Sequence, residues 1–279
     1  MSNNTCGQSC QSCSTSNCAE RTAAPQTPKP QNRIRKVIGV VSGKGGVGKS
    51  SVTSMLAVAM NRMGLLTGVL DADITGPSIP RIFGITEKAS ASQQGILPAV
   101  SETGIRLMSV NLILDNDTDP VLWRGPIVGN VVKQFWEEVV WGDLDVLFID
   151  MPPGTGDVAL TVYQSLPLDG IVLVTSPQEL VSMIVGKAIH MAEKMNIPIV
   201  GLVENLSYLE CPDCGKQLSV FGESHLDEVA EQYGLNILAR LPIDPKLASA
   251  CDNGSIEGYT APALEKAADI IQSWERPAN

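Results

Sequence analysis

Seven short apolar runs punctuate the chain after residue 36, at 37–41, 66–70, 105–110, 146–149, 171–174, 199–203 and 237–241. Most are continuous rather than alternating, which is the pattern of strands buried on both faces. Helical spacing fills most of the gaps. Segment 50–63 places Met55, Ala59 and Met63 on one face, and 181–195 and 226–233 follow the same period. Such alternation predicts an α/β fold, a mainly parallel β-sheet flanked by helices with right-handed crossovers. No internal repeat is visible. In folds of this kind ligands bind at the carboxyl ends of the strands, so the residues just after each run carry the chemistry.

The start of the chain reads differently. From Ser2 to Arg33 there is no Val, Ile, Leu, Met, Phe, Trp or Tyr. A segment without apolar surface cannot offset its ordering entropy, so 1–33 is predicted to be disordered unless something ties it down. It holds Cys6, Cys10, Cys13 and Cys18, followed by a linker with Pro25, Pro28 and Pro30. Thirty acidic against twenty basic residues leave a net charge of −10, which argues against nucleic acid as a partner. No apolar run approaches the ~18 residues of a membrane span. No apolar leader is present either, so a cytoplasmic, reducing location is expected, where clustered thiols read as metal or redox groups.

After the first run come Gly43, Lys44, Gly45, Gly46, Val47, Gly48, Lys49 and Ser50, with Ser51 behind them. They fit G-x-x-x-x-G-K-[ST] between a strand and a helix, so 34–279 reads as a P-loop nucleotide-binding domain. Glycines let backbone N–H groups turn inward around phosphate oxygens, and the helix N-terminus adds positive potential. Lys49 is assigned to the β- and γ-phosphates and Ser50 to Mg2+. Lys44 makes the loop the deviant form of the MinD and nitrogenase iron-protein branch. Resemblance to that branch implies that this lysine reaches a partner subunit's nucleotide.

Asp71 and Asp73 follow the second run, and Asp150 closes the fourth. An aspartate ending a buried strand beside a phosphate loop is placed to hold Mg2+, directly or through water. Asp150 takes that role and Asp71 supports it. Asp73 is placed to orient the attacking water, and by resemblance matches a catalytic switch aspartate. Gly154, in a Pro-Pro-Gly-Thr-Gly stretch, can present its amide to the γ-phosphate. No Asn-Lys-x-Asp segment for guanine is present, so ATP is favoured. Segments 204–207 and 241–244 are the expected base-contacting loops, with Asn205 assigned to adenine and Pro242 beside it.

Cys211 and Cys214 form a CxxC turn in an excursion near 205–222. A tetrahedral zinc or a four-iron cluster wants four ligands. Three completions are open: a zinc site shared with Cys10 and Cys13, a dithiol–disulfide couple, or a [4Fe–4S] cluster bridging two copies on a two-fold axis. The four N-terminal cysteines suffice for a second cluster. Cys251 reads as a small buried apolar residue. His190 and His225 read as ordinary helix residues.

Together these motifs, with Trp123-Arg-Gly-Pro126 and Asp150-Met-Pro-Pro-Gly-Thr-Gly-Asp157, closely resemble the Mrp/Nbp-type (ApbC-like) iron–sulfur cluster carrier ATPases over about residues 33–274. The resemblance implies a homodimeric ATPase that holds a bridging [4Fe–4S] cluster and delivers it to apo iron–sulfur proteins. It extends to members with an N-terminal ferredoxin-like motif, although the first and last cysteine gaps here, three and four residues, are shorter. Two other functions compete. A MinD/ParA-type positioning ATPase needs a basic amphipathic tail, whereas 263–274 carries Glu265 and Asp269 against Lys266. An ATP-dependent electron donor shares the bridging cluster but passes on electrons alone.

Overall fold

The computed structural model describes residues 31–74, 76–114, 125–177 and 181–277. Cys6, Cys10, Cys13, Cys18, Trp123 and Arg124 lie outside the described residues.

Seven strands and eight helices carry the fold. In chain order they are β1 (Val37–Ser42), α1 (Lys49–Arg62), β2 (Thr67–Asp71), α2 (Ile79–Ile82), β3 (Arg106–Met108), α3 (Gly125–Glu138), β4 (Val146–Asp150) and α4 (Asp157–Ser165). Then follow β5 (Gly170–Thr175), α5 (Val181–Lys194), β6 (Ile199–Glu210), α6 (Leu226–Tyr233), β7 (Ile237–Pro242), α7 (Pro245–Asp252) and α8 (Pro262–Ser273). The strands stand in the order β7-β6-β5-β1-β4-β2-β3, every pairing parallel. Short antiparallel pieces are added at two places, Ala99–Val100 on the margin strand β3 and Gln217–Leu218 on the far end of β6.

The continuous apolar runs follow from this layering. Along β1, Val37 and Val41 enter one core while Ile38 and Val40 enter the other; along β4, Leu147 and Ile149 oppose Val146 and Phe148. Side chains alternate, but both faces are covered, so no polar position is needed. One core packs Val132, Phe135, Val162 and Ala188 from α3, α4 and α5. The other packs Met55, Leu56, Leu264 and Ile271 from α1 and α8.

Three expectations need correction. Helix α1 does not bury a single stripe. Residues 52–60 are all buried, because the helix lies between the sheet and α8, while Met63 just past its end is exposed. The run at 105–110 yields only a three-residue strand followed by a 3-10 turn at Val110–Leu112. Strand β6 runs on to Glu210, so residues 204–207 are not a loop after a strand but part of one. Residues 32–34 are tied to the segment between α3 and β4. Arg33–Ile34 pairs with Asp143–Leu144, and buried Asn32 donates to the Val139 carbonyl and accepts from the Gly142 amide.

Candidate functional site

The phosphate loop joins β1 to α1 in the middle of the sheet, where β1 is flanked by β4 and β5. Gly46 and Gly48 take φ of 81° and 76°, a region costly for side-chain-bearing residues. Gly48 has a second constraint, since a Cβ there would stand 2.3 Å from Asn205 Nδ2. At Gly45 and Gly46 nothing lies within 4 Å of where a Cβ would be. The loop therefore offers bare backbone to a cleft of about 300 Å3 that Lys49, Ser50, Ser51, Asp73 and Ser78 help to line. Half-buried Lys44 accepts from the Ser42 hydroxyl through its carbonyl at 2.9 Å.

Buried Lys49 is the cation around which the acidic groups gather. Its Nζ lies 2.7 Å from Asp150 Oδ1 and 3.8 Å from Asp73 Oδ2. Asp150 also accepts from Ser50 Oγ at 2.6 Å and from Thr53 Oγ1 at 2.9 Å. Ser50 and Asp150 thus bring two hard oxygen donors together, a set that fits Mg2+. Thr53 is a member of the site that sequence reading missed. Its hydroxyl one turn along a helix looks local, and its partner is 97 residues away. The Gly154 amide donates to the Ser42 carbonyl at 2.8 Å, so this bond has to open before the amide can serve a phosphate.

Asp71 is fully buried and sits opposite Asp150 in the strand register. It accepts from the Asp73, Ser78 and Ile79 amides at 3.2–3.3 Å and from Ser109 Oγ at 3.1 Å. It therefore shapes the loop that carries Asp73. Burial, and then the charge of Asp150, push its carboxyl up to about 8, against the pull of Lys49. That folded value lies above the roughly 4 of an unfolded chain. The stability it contributes is complete below pH ~4 and is lost as pH rises toward 8. Asp71→Asn keeps an acceptor oxygen and removes the titration. Between pH 5 and 8 it should flatten the fall in unfolding free energy of the nucleotide-free protein, by on the order of 4 kcal/mol. Denaturation curves that track those of the unsubstituted protein at every pH would refute this role.

Asn205, assigned to adenine from the sequence, underpins the phosphate loop. Its Nδ2 donates to the Val47 carbonyl at 2.9 Å, while its buried Oδ1 has no hydrogen-bond partner among the described residues. Pro242 ends β7, paired with Tyr208.

Beyond Asn205 the same strand leads to the CxxC turn. The Cys211 amide donates to the Lys216 carbonyl and the Gly215 amide to the Cys211 carbonyl, closing a tight knuckle in which Gly215 takes φ of 69°. The Asp213 amide, followed by the amide and side chain of Cys214, holds the Cys211 thiol below its ordinary range. That favours the thiolate, the form that ligates metal. Cys214 is exposed. Among the described residues no group of three or more His, Cys, Asp or Glu is arranged to hold a metal ion, so the pair supplies two sulfurs and no more.

The family model for NUBPL iron-transfer P-loop NTPases matches residues 33–275. The chain belongs to that family. Among relatives of this NUBPL-type NTPase is an iron–sulfur cluster carrier protein of Clostridium perfringens, 48% identical over 82% of this chain and 83% of its own. Another carrier, from Methanocaldococcus jannaschii, is 44% identical over 89% of both chains. A nucleotide-binding protein from Archaeoglobus fulgidus, solved in complex with ADP and with cobalt found, superposes with a TM-score of 0.75 at 41% identity, over 82% of this chain and 90% of that one. The cell-division ATPase MinD of Pyrococcus furiosus shares the fold at a TM-score of 0.64 and 20% identity, over 85% and 98%.

Cys251 and the two histidines of this NTPase make contacts within the fold, His225 standing just before α6 rather than in it. Half-buried Cys251 packs against the core and lies 3.6 Å from Ser51 Oγ, with burial pushing its thiol up. His190 meets the Tyr233 ring edge-on, and His225 faces Glu228 one turn along. Among the described residues no helix is long and apolar enough to cross a membrane.

Proposed function

We propose that this NTPase hydrolyses ATP to manage an iron–sulfur cluster that it carries as cargo. Two copies meet with their CxxC turns on a two-fold axis, each giving Cys211 and Cys214 to one [4Fe–4S] cluster. The cluster then passes to acceptor proteins that lack one. The observation that supports this best is one strand, β6, which touches the phosphate loop at Asn205 and leads into a cysteine pair, its Cys211 thiolate favoured, with only half of a cluster's ligands among the described residues. Two-fold symmetry supplies the other half without any new residue. The names of the relatives point the same way.

At the nucleotide, Gly43 to Ser51 wrap the phosphates, Lys49 bridges to the γ-phosphate, and Lys44 reaches the nucleotide of the partner subunit. Ser50 and Asp150 hold Mg2+, which offsets the charge of the β- and γ-phosphates. Asp73 orients the attacking water. Asn205 Oδ1 accepts from the adenine amine, with Pro242 beside the base. The cysteines at 6, 10, 13 and 18 hold a second cluster, and the protein works in the cytosol. A membrane-positioning role draws no support from α8, whose Leu264, Ala267, Ala268 and Ile271 are buried in the core.

Anaerobic reconstitution with ferrous iron and sulfide tests the proposal. A dimer in solution, with about four irons and four sulfides held by the Cys211–Cys214 pairs, is expected. A monomer that takes up only zinc, with or without nucleotide, would end the carrier reading.

A further inference from the structure

The excursion that carries the thiols is held shut at its base by a buried carboxylate that the nucleotide chemistry does not use. Glu204 is fully buried, yet it is not one of the groups around Lys49. Its Oε2 accepts from Ser207 Oγ at 2.5 Å, on the outgoing side of the excursion. Its Oε1 accepts from Ser224 Oγ at 2.6 Å, on the returning side. Ser224 in turn accepts from the Leu226 amide, the first residue of α6. Arg240 of β7 extends the clasp, with Nε 3.9 Å from Glu204 and Nη2 2.6 Å from Asp227 of α6. One carboxylate therefore ties together β6, β7, α6 and both ends of the segment bearing Cys211 and Cys214.

The clasp stands next to a residue that ties the strand to the phosphate loop. Asn205 follows Glu204 directly and donates to the Val47 carbonyl at 2.9 Å. Leu206 then takes φ of 58°, a left-handed conformation that is strained for a leucine. The pairing slips here as well: Glu204 stands opposite Arg240 and Tyr208 opposite Pro242, so four steps on β6 match two on β7. The ladder is interrupted between the loop contact and the thiols, and a displacement of Asn205 would be lost in that break if nothing spanned it. The Ser207–Glu204–Ser224 bonds span it.

We infer that Glu204 and Ser224 are positioning residues that transmit the state of the phosphate loop to the Cys211–Cys214 pair. This rests on the carrier reading only in taking those thiols as the cargo site. A ligand at the phosphate loop shifts Val47 and with it Asn205. The clasp makes the base of the excursion follow as a unit, and the two thiols change their exposure. Without the clasp the excursion still folds on its own knuckle bonds, but its conformation no longer depends on the nucleotide.

The test uses the full-length apo-protein and follows iodoacetamide labelling of Cys211 and Cys214, peptide by peptide, by mass spectrometry. Labelling rates are measured with and without Mg2+ and a non-hydrolysable ATP analogue, and analogue affinity is measured separately. In the unsubstituted protein the analogue should change the rate at these cysteines by about fivefold or more, the lower range of coupling between sites. In Glu204→Ala and in Ser224→Ala that ratio should collapse to within about twofold of one, with analogue affinity kept within about threefold. Glu204→Gln, which can still bond both hydroxyls, should restore most of the ratio. Ser224→Ala removes a single hydroxyl and carries the test by itself if Glu204→Ala does not fold.

Alanine variants that keep the full ratio would overturn the inference, as would an unsubstituted protein whose labelling ignores the analogue. A protein that shows the ratio but takes up no iron and sulfide would remove the carrier reading and leave the clasp in place.

Discussion

Asp73→Ala is expected to slow ATP hydrolysis by about a hundredfold or more while leaving ATP affinity within a few-fold. The case rests on where each of three carboxylates sits. Asp150 has no exposed surface and is committed to Lys49, Ser50 and Thr53, the set that prepares the metal position. Asp71 has no exposed surface either and spends its oxygens on three amides and Ser109. Asp73 keeps 9% of its surface open and lines the cleft, with Oδ2 3.8 Å from Lys49. Of the three, it alone lines the cleft beside the phosphate loop.

Losing a group that orients or deprotonates the nucleophile typically costs 10²–10⁴-fold, or about 2.7 kcal/mol of barrier at the low end. The ground-state grip of the loop on the phosphates is untouched. Asp150→Ala should behave differently and lose Mg2+-dependent affinity together with turnover. Steady-state hydrolysis alongside equilibrium nucleotide binding separates the two patterns. An Asp73→Ala protein retaining more than about a tenth of the rate would move the water-orienting role elsewhere.

How far the site was readable in the sequence depends on how local each piece is. The phosphate loop is contiguous, and its glycines, Lys49 and Ser50 are needed within eight residues, so the motif names them directly. Asp71 and Asp150 were also readable, because a strand buried on both faces leaves its polar terminus conspicuous. What could not be read were relations across the sheet. Thr53 looks like any helical hydroxyl bonding back to Lys49, which it also does at 3.0 Å; only β4 beside α1 gives it Asp150. Asn205 was picked out for the base, but its Nδ2 is spent on the Val47 carbonyl because β6 passes beneath the loop. The same strand hid Glu204. A charged residue at the end of an apolar run signals a loop, whereas here Ser207, Ser224 and Arg240 satisfy it inside the fold. Burial reversed the reading of Met63 for a related reason, since α8 covers the part of α1 that a two-layer pattern leaves open, and the helix end projects past it.

Cys211→Ala combined with Cys214→Ala should remove at least nine-tenths of the iron held at the paired site and leave ATP hydrolysis at the phosphate loop measurable. Because four more cysteines lie at 6, 10, 13 and 18, the comparison belongs in a background in which those four are alanine. The expected loss is large for three reasons. Each chain offers two sulfurs at this place and no third ligand among the described residues, so there is nothing for iron to fall back on. The Asp213 and Cys214 amides aimed at Cys211 favour its thiolate, and alanine removes the ligand and that preparation together. The knuckle itself is held by backbone bonds from Cys211 to Lys216 and from Gly215 to Cys211, which alanine preserves, so a loss of iron cannot be put down to a collapsed turn.

Cys251→Ala is the matching control. Its thiol is half-buried against the core with its pKa pushed up, and iron content should not move. Single substitutions decide whether two copies share the site. On a two-fold axis each single variant still presents two sulfurs per dimer, enough to bind iron loosely and release it faster, whereas a site contained in one chain would drop to a lone sulfur. Iron and sulfide contents with the mass in solution read this directly. If the double variant keeps its iron, the pair is not the cargo site.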